Sequence, residues 1–233
     1  MATSRTLAEL RVDARRRADM SDDGNFISDA EANDYINESI SALWRVLTDG
    51  DNARLFAQHA PILTQIGDNQ YELPSTFFKL VSVDLKVSGK YNPLLPADVR
   101  EVAQLAADPP DQRDGRYRLA FDSSTGKMSL YIYPAIDENN LAVVFVPEPT
   151  VLTADGSTVY FPNHWYEFVA VDAAIKMLQK EESDTTALEF KRKSLMETVA
   201  DHIRDMDSGL PDRIRDIDGL FEDRFYWFPR SRN

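Results

Sequence analysis

Two stretches near the start of the chain carry apolar residues at helical spacing. Between Leu7 and about Asp19, apolar side chains recur every three or four residues, which is the period of one helix face. Thr6, just before this stretch, and Glu9, in its first turn, have the spacing of a capping box. In a capping box each of the two side chains binds the other residue's backbone N–H. The pattern therefore predicts a first helix that begins directly after Thr6.

A second and longer stripe predicts an amphipathic core helix. Ser28 and Glu31 form another capping-box pattern, and Phe26 just before them is a candidate for the apolar staple residue. The stripe consists of Ala32, Tyr35, Ile36, Ser39, Ile40, Leu43, Val46 and Leu47. Polar residues occupy the remaining faces, as expected for a helix with one face against a core. The polar run 49–51 ends the helix.

After about residue 60 the spacing of apolar residues changes from the helical period to alternation. The segments rich in Val, Leu, Tyr and Phe are 70–74, 79–89, 116–122, 127–134 and 141–147. Residues 81–88 alternate apolar and polar side chains, which predicts a half-buried strand. Residues 118–121 and 129–133 flank a short loop and predict a hairpin, and residues 97–107 predict a short helix. Strand spacing this short favours a small antiparallel sheet.

Helical spacing returns after Pro162. Asn163 is a candidate cap for a helix whose apolar stripe is Trp165, Phe168, Val171, Ile175 and Leu178. A following helix, from Ala187 to about Asp207, is predicted to turn Leu188, Leu195, Val199, Ile203 and Met206 inward. The short polar break between the two helices favours antiparallel neighbours.

Together these patterns predict an α+β fold built on an antiparallel helical bundle. Two N-terminal and two C-terminal helices, within residues 1–58 and 162–207, are expected to share one core. A small antiparallel β-rich block, residues 59–161, is inserted between them, and residues 208–233 form an extended C-terminal tail.

The C-terminal tail has the composition of a binding segment. Gly209, Pro211 and Gly219 exclude a long helix, and five acids balance five arginines. Aromatic residues together with arginine are typical of interface hot spots. We expect the tail to dock on another subunit, with folding back onto its own domain as the alternative. The candidate partner-binding residues are Leu220, Phe221, Arg224, Phe225, Tyr226, Trp227, Phe228, Arg230 and Arg232.

Composition narrows the class of protein further. The 233 residues include 39 acids against 26 lysines and arginines, a net charge of −13, and no cysteine. This excludes thiol chemistry and disulfides, and the acidic balance argues against extensive phosphate binding. No apolar run reaches the roughly 20 residues that a membrane helix needs. The start of the chain lacks an apolar signal core, so we expect a protein made in a reducing cytosol.

One basic cluster stands out against this acidic background. Arg15, Arg16 and Arg17 are consecutive at the C-terminal end of the first predicted helix, where cations interact favourably with the helix dipole. The alternative is a functional role, contact with an acidic partner surface or with nucleic acid.

The sequence contains no recognisable catalytic or ligand-binding pattern. The three histidines, at positions 59, 164 and 202, lack metal-ligand spacing, and no glycine-rich phosphate loop or serine-hydrolase elbow occurs. The sequence therefore predicts no cofactor, no metal and no enzyme. Asp172 lies beside the apolar stripe of its helix, where an arginine from a neighbour could pair with it. A partly exposed surface acid is the favoured interpretation.

The order of these parts resembles the head-to-tail adaptor proteins of bacteriophages, nearest to those of short-tailed phages. The similarity rests on TLAELRVDARRRADM (6–20), FISDAEANDYINESISALWRVL (26–47), HWYEFVAVDAAIKMLQKEESDTTALEFKRK (164–193), and IRDID (214–218) followed by the aromatic tail. These segments cover the two helical ends, about half of the chain.

The resemblance implies a structural virion protein at the head–tail junction, assembled in the host cytoplasm. Such subunits form a homo-oligomeric ring, typically of twelve copies, beneath the portal protein. The ring extends the channel through which packaged DNA passes without sequence-specific binding, and it offers a platform to the tail or nozzle protein. The resemblance also implies that residues from about Leu210 to Asn233 reach along the portal. Two alternatives stay open: a monomeric accessory binding module, and an enzyme with an unrecognised carboxylate site.

Overall fold

The structure is a computed structural model that describes residues 2–20, 26–60, 64–65, 69–87, 90–107, 115–122, 126–135, 141–162 and 165–206. Over these residues it contains five α-helices, one 3-10 helix and eleven β-strands. The predicted α+β class is confirmed. The predicted cap Asn163 lies outside the described residues, as does the whole tail from residue 208.

The helices are α1 (Leu7–Arg17), α2 (Asp29–Leu47), α3 (Val102–Ala107), α4 (Tyr166–Lys180) and α5 (Thr186–Met206), with the 3-10 helix at Gly50–Phe56. The strands are β1 (Ala2–Thr6), β2 (Gln58–Ala60), β3 (Thr64–Gln65), β4 (Gln70–Glu72), β5 (Phe77–Val87), β6 (Lys90–Pro93), β7 (Leu95–Pro96), β8 (Arg116–Asp122), β9 (Lys127–Tyr133), β10 (Leu141–Pro147) and β11 (Thr158–Pro162).

The start of α1 confirms the predicted capping box. The Thr6 N–H donates to Glu9 Oε2 at 3.0 Å, and the Glu9 N–H donates to Thr6 Oγ1 at 3.2 Å. At α2 only half of the predicted capping box forms: the Glu31 N–H donates to Ser28 Oγ at 3.3 Å, and the Glu31 carboxylate binds Lys180 Nζ at 2.6 Å instead. The staple residue was predicted wrongly: Phe26 is 54% exposed, whereas Ile27 is buried. A staple occupies the position immediately before the cap, and that position belongs to Ile27.

Helix α4 lies at the centre of a buried cluster to which α1, α2 and α5 also contribute. Ten of its 15 residues are buried, including Asp172, so the predicted stripe was narrower than the buried surface. A helix that contacts three others is covered on more than one face. On α5, Val199 and Ile203 are buried as predicted, but Met206 is 46% exposed. Met206 is the last residue of α5, one turn beyond the last buried position.

The β-rich block contains two sheets, whereas one small sheet was expected. Their strand orders are β2-β10-β5-β6 and β3-β4-β9-β8-β7, and all pairs are antiparallel except β7 with β8. The predicted hairpin is confirmed as β8–β9, which pairs Asp122 with Lys127 at its end. Val83 and Phe145 of the first sheet and Tyr71 and Leu130 of the second share one buried cluster. Each sheet thus covers the apolar face of the other.

A third, two-stranded sheet pairs β1 with β11 and was not predicted. Val159 and Phe161 of β11 belong to the helical cluster, as does Leu152 from the preceding loop. These three residues lie within the span predicted as the insertion. The loop also caps α1, because the N–H groups of Leu7 and Ala8 donate to the carbonyls of residues 157 and 155.

The short helix α3 begins five residues later than predicted. The Arg100 N–H donates to Asp98 Oδ1 at 2.9 Å, and the Glu101 N–H donates to the Asp98 carbonyl at 3.0 Å. Asp98 therefore forms a turn over residues 98–101, which displaces the start of the helix to Val102.

Hydrogen bonds from side chains to the backbone join α2 to the segments that flank it. The Asn37 amide binds both the carbonyl and the N–H of Leu152, at 3.0 and 2.8 Å. Trp44 Nε1 donates to the Pro147 carbonyl at 2.9 Å, and Lys79 Nζ donates to the Thr48 carbonyl at 2.8 Å. These bonds hold α2 against the C-terminal end of β10 and the adjoining N-terminal end of β5.

Candidate functional site

The most strongly buried charge in the described residues is the Asp172 carboxylate of α4, in a residue only 5% exposed. Its Oδ2 lies 2.8 Å from Ser39 Oγ of α2 and 3.4 Å from Lys176 Nζ. Its Oδ1 accepts a hydrogen bond at 3.0 Å from Arg192 Nη1 of α5. Lys176 also pairs with Glu38 of α2 at 3.1 Å. One carboxylate therefore joins three helices.

This arrangement corrects the interpretation of Asp172 as a partly exposed surface acid. The arginine pairing that was weighed against that interpretation is present, and the partner is Arg192 of the same chain. Asp172 is buried because α4 is covered on the side where the apolar stripe was predicted to end. Both carboxylate oxygens are engaged, so the group is arranged to hold helices together, and an acid–base role has no geometric support here.

The partners of Asp172 do not follow from the apolar pattern of the sequence alone. Ser39 belongs to the predicted apolar stripe of α2, and Lys176 lies outside the predicted stripe of α4. The sequence nevertheless contains a usable signal. Ser39 lies in the apolar stripe of α2, Asp172 lies beside the apolar stripe of α4, and these two stripes are predicted to pack against each other. Buried polar groups require partners, so the two could have been paired before the fold was known.

The arginine cluster at the end of α1 is largely occupied by ion pairs within the chain. Arg15 Nη2 lies 2.7 Å from Asp29 Oδ1 and donates to the Ile27 carbonyl at 2.9 Å. Arg17 Nη1 lies 3.4 Å from Glu167 Oε1. Arg16 is different, because its side chain is 75% exposed and its ion pair with Asp13 is 3.6 Å long. Of the three candidate contacts for a partner, Arg16 is therefore the accessible one.

Glu167 of α4 links α1 and α5 through two cations. Lys191 Nζ lies 2.6 Å from Glu167 Oε1, and Arg17 lies on the same oxygen. The hydrogen bond from Lys191 lowers the pKa of Glu167 below its ordinary value of about 4.5, with smaller help from Arg17 and against the effect of partial burial. The ionised form is therefore the one that stabilises the fold.

Replacing Glu167 with Gln is expected to destabilise the protein at neutral pH and to have little effect in acid. Because the folded-state pKa lies below the unfolded value, the stabilisation is present above about pH 4.5 and disappears as the pH falls through the folded pKa. The side chain is 33% exposed, so the loss should not exceed about 1 kcal/mol. Urea unfolding at neutral pH and at about pH 3 measures the difference.

Glu101→Gln is the control for this prediction, because Glu101 is exposed and precedes the short helix α3. It should leave stability unchanged at both pH values. A deficit of equal size at both pH values for Glu167→Gln would show that ionisation of Glu167 does not matter.

No group of His, Asp and Glu residues suited to a metal ion occurs within the described part of the chain. His202 packs edge-on against Trp165 at 5.7 Å between ring centroids, and His59 is exposed on β2. His164 lies outside the described residues. None of the helices in the described ranges is long and apolar enough to cross a membrane.

The predicted partner-binding residues of the tail, from Leu220 to Arg232, all lie outside the described residues. Their role stays a prediction. The structure gives their point of attachment: α5 ends at Met206, one turn after His202 packs on Trp165.

The chain matches a known protein family. The family model described as SU10 adaptor protein matches residues 5–220, a span that holds both helical ends, the β-rich block and the first part of the tail. No curated protein matches the chain.

Proposed function

The chain belongs to the SU10 adaptor protein family, and we propose that it works at the bacteriophage head–tail junction as one subunit of a ring beneath the portal. The match over residues 5–220 is the observation that carries this proposal, and it makes the chain a structural adaptor protein. The ring, of about twelve copies as in the proteins it resembles, would extend the DNA channel and present a platform to the tail or nozzle protein.

The proposed subunit consists of three parts. We propose that residues 1–58 and 162–207 form an antiparallel helical bundle, that residues 59–161 form an inserted β-rich block whose last part, from Leu152, packs against that bundle, and that residues 208–233 form the docking tail. The shared cluster of α1, α2, α4 and α5 supports the bundle. The buried polar side chains of the described residues all have hydrogen-bond partners, which suits a rigid building block.

The charge of the chain fits a channel for DNA. A net charge of −13 repels the phosphate backbone, so packaged DNA would pass without being held. Neighbouring subunits of the same charge also repel each other. Their contacts therefore have to come from apolar or locally neutral surfaces, of which the neutral, aromatic tail is one.

The measurement that tests this proposal is the mass of the purified protein by light scattering, alone and after mixing with the portal protein of its phage. We expect a small species that becomes a defined portal-bound ring. A protein that stays monomeric and does not bind the portal would contradict the adaptor assignment and favour a monomeric binding module.

A further inference from the structure

A groove between α2 and α5 presents apolar surface to solvent on the outside of the helical part. Ala42 of α2, Phe168 of α4 and Met196 of α5 line it together with Phe190, and its volume is about 700 Å³. Phe190 is 78% exposed, more than any other large apolar side chain in the described residues.

The rim of this groove carries charges of both signs. Glu189 and Glu197 contribute acids and Lys193 a base, and all three side chains are exposed. Lys193 and Glu197 form no ion pair with any described residue. The Arg192 guanidinium is already bound to Asp172 beneath the groove. A partner that fits should therefore combine apolar side chains with both acids and bases.

The C-terminal segment of the same chain has this composition. Residues 221–228 hold five aromatic side chains, with Glu222, Asp223 and Arg224 among them. We propose that, before assembly, residues 221–228 bind the α2–α5 groove of their own copy, with the aromatic rings against Phe190 and the charged side chains on the rim. The inference rests on the proposed function in one respect, because it expects the portal protein to release the segment.

The length of the chain permits this contact. Phe190 and Met206 are 16 residues apart on α5, which is about 24 Å at 1.5 Å per residue. The 15 residues from 207 to 221 can span up to about 50 Å when extended. A segment tethered this closely has an effective concentration in the millimolar range, so its own groove is favoured over that of another copy.

Limited trypsin digestion of the full-length protein tests whether the groove covers the segment. Cleavage after Arg224 depends on the fraction of time that the segment is released. Phe190→Asp is expected to raise the cleavage rate at least about fivefold, and because Phe190 is exposed the fold should be unaffected. Phe121→Asp, at a 64% exposed aromatic residue on β8, is the matched control and should leave the rate unchanged. Equal rates for the two variants would overturn the proposal.

Cross-linking identifies which copy provides the segment. The chain has no cysteine, so Lys193→Cys combined with Ser231→Cys introduces a single pair for a bis-maleimide reagent. A link within one chain is expected, and Lys86→Cys with Ser231→Cys should give none, because Lys86 is exposed on β5. A link between two chains, or no link, would overturn the proposal.

Addition of the portal protein separates this inference from the proposed function. If both hold, the portal reduces the link within the chain as it binds. If the portal fails to bind while the link forms, the groove assignment stands and the adaptor role fails. If the portal binds the full-length protein but the link never forms, the adaptor role stands and the groove assignment fails.

Discussion

Replacing Asp172 with Ala is expected to lower the free energy of unfolding by about 2 kcal/mol, because hydrogen bonds to a buried carboxylate are lost. The substitution removes a carboxylate that binds Ser39, Lys176 and Arg192 at once. The Ser39 hydroxyl keeps the Tyr35 carbonyl as a partner at 2.8 Å, and Lys176 keeps Glu38. Arg192, however, loses its carboxylate partner.

The contacts of α5 explain why this loss is large. Only Val199 and Ile203 of its 21 residues are buried. The first half of the helix has only partly buried apolar residues against the helical cluster, so it also depends on Arg192 and on the pair between Lys191 and Glu167. Equilibrium unfolding in urea, followed by circular dichroism, measures the change. Asp201→Ala is the control: its ion pair with Arg204 is exposed on both sides, so its loss should cost less than about 0.5 kcal/mol.

Asp172→Asn distinguishes the charge from the shape of this side chain. The amide retains the volume of the side chain and can still hydrogen-bond to Ser39. We therefore expect the free energy of unfolding of Asp172→Asn to lie between that of the wild type and that of Asp172→Ala. A stability equal to wild type for Asp172→Ala would mean that the buried carboxylate contributes nothing to holding α2, α4 and α5 together.

The helices were predictable because their signals are local. Thr6 with Glu9, and Ser28 ahead of Glu31, mark helix starts through bonds that span three residues. The apolar period then fixes the face that is buried. Such information is complete within one segment, so the starts of α1 and α2 agree with the structure.

Features that depend on distant segments were missed. β1 is five residues long and pairs with β11 more than 150 residues later, and neither segment alone has a strong strand pattern. The division of the β-rich block into two sheets depends on which strands pair with each other, for example β5 with β10. Periodicity within a segment does not contain this information.

The contacts of the candidate site could not be predicted for the same reason, because they join distant segments. A polar residue beside an apolar stripe has the same sequence signature whether it is solvated or paired in the interior. Asp172 became a buried group because α5 folds back over α4 and brings Arg192 to it. For Arg15 the composition correctly indicated a cluster, but only the fold shows that Asp29 occupies it.

Removing residues 210–233 is expected to abolish binding to the portal while leaving the remaining chain folded. The buried clusters of the described residues extend no further than Ile203, so the deletion removes none of their members. The aromatic and arginine side chains of the tail are the hot-spot types that dominate binding energies. Sedimentation of portal rings with bound adaptor measures the loss, and circular dichroism checks the fold.

Single substitutions within the tail make this prediction specific. Trp227→Ala should weaken portal binding by about 2–4 kcal/mol if Trp227 is a hot spot, which is at least tenfold in affinity. Ser231→Ala, in the same segment but without an aromatic or charged group, should leave affinity unchanged. A truncated protein that still occupies portals fully would show that the docking surface lies within residues 1–209. In that case Arg16 would be the first residue to substitute. Arg15 and Arg17 form ion pairs within the chain, whereas the Arg16 side chain is exposed and can contact an acidic partner.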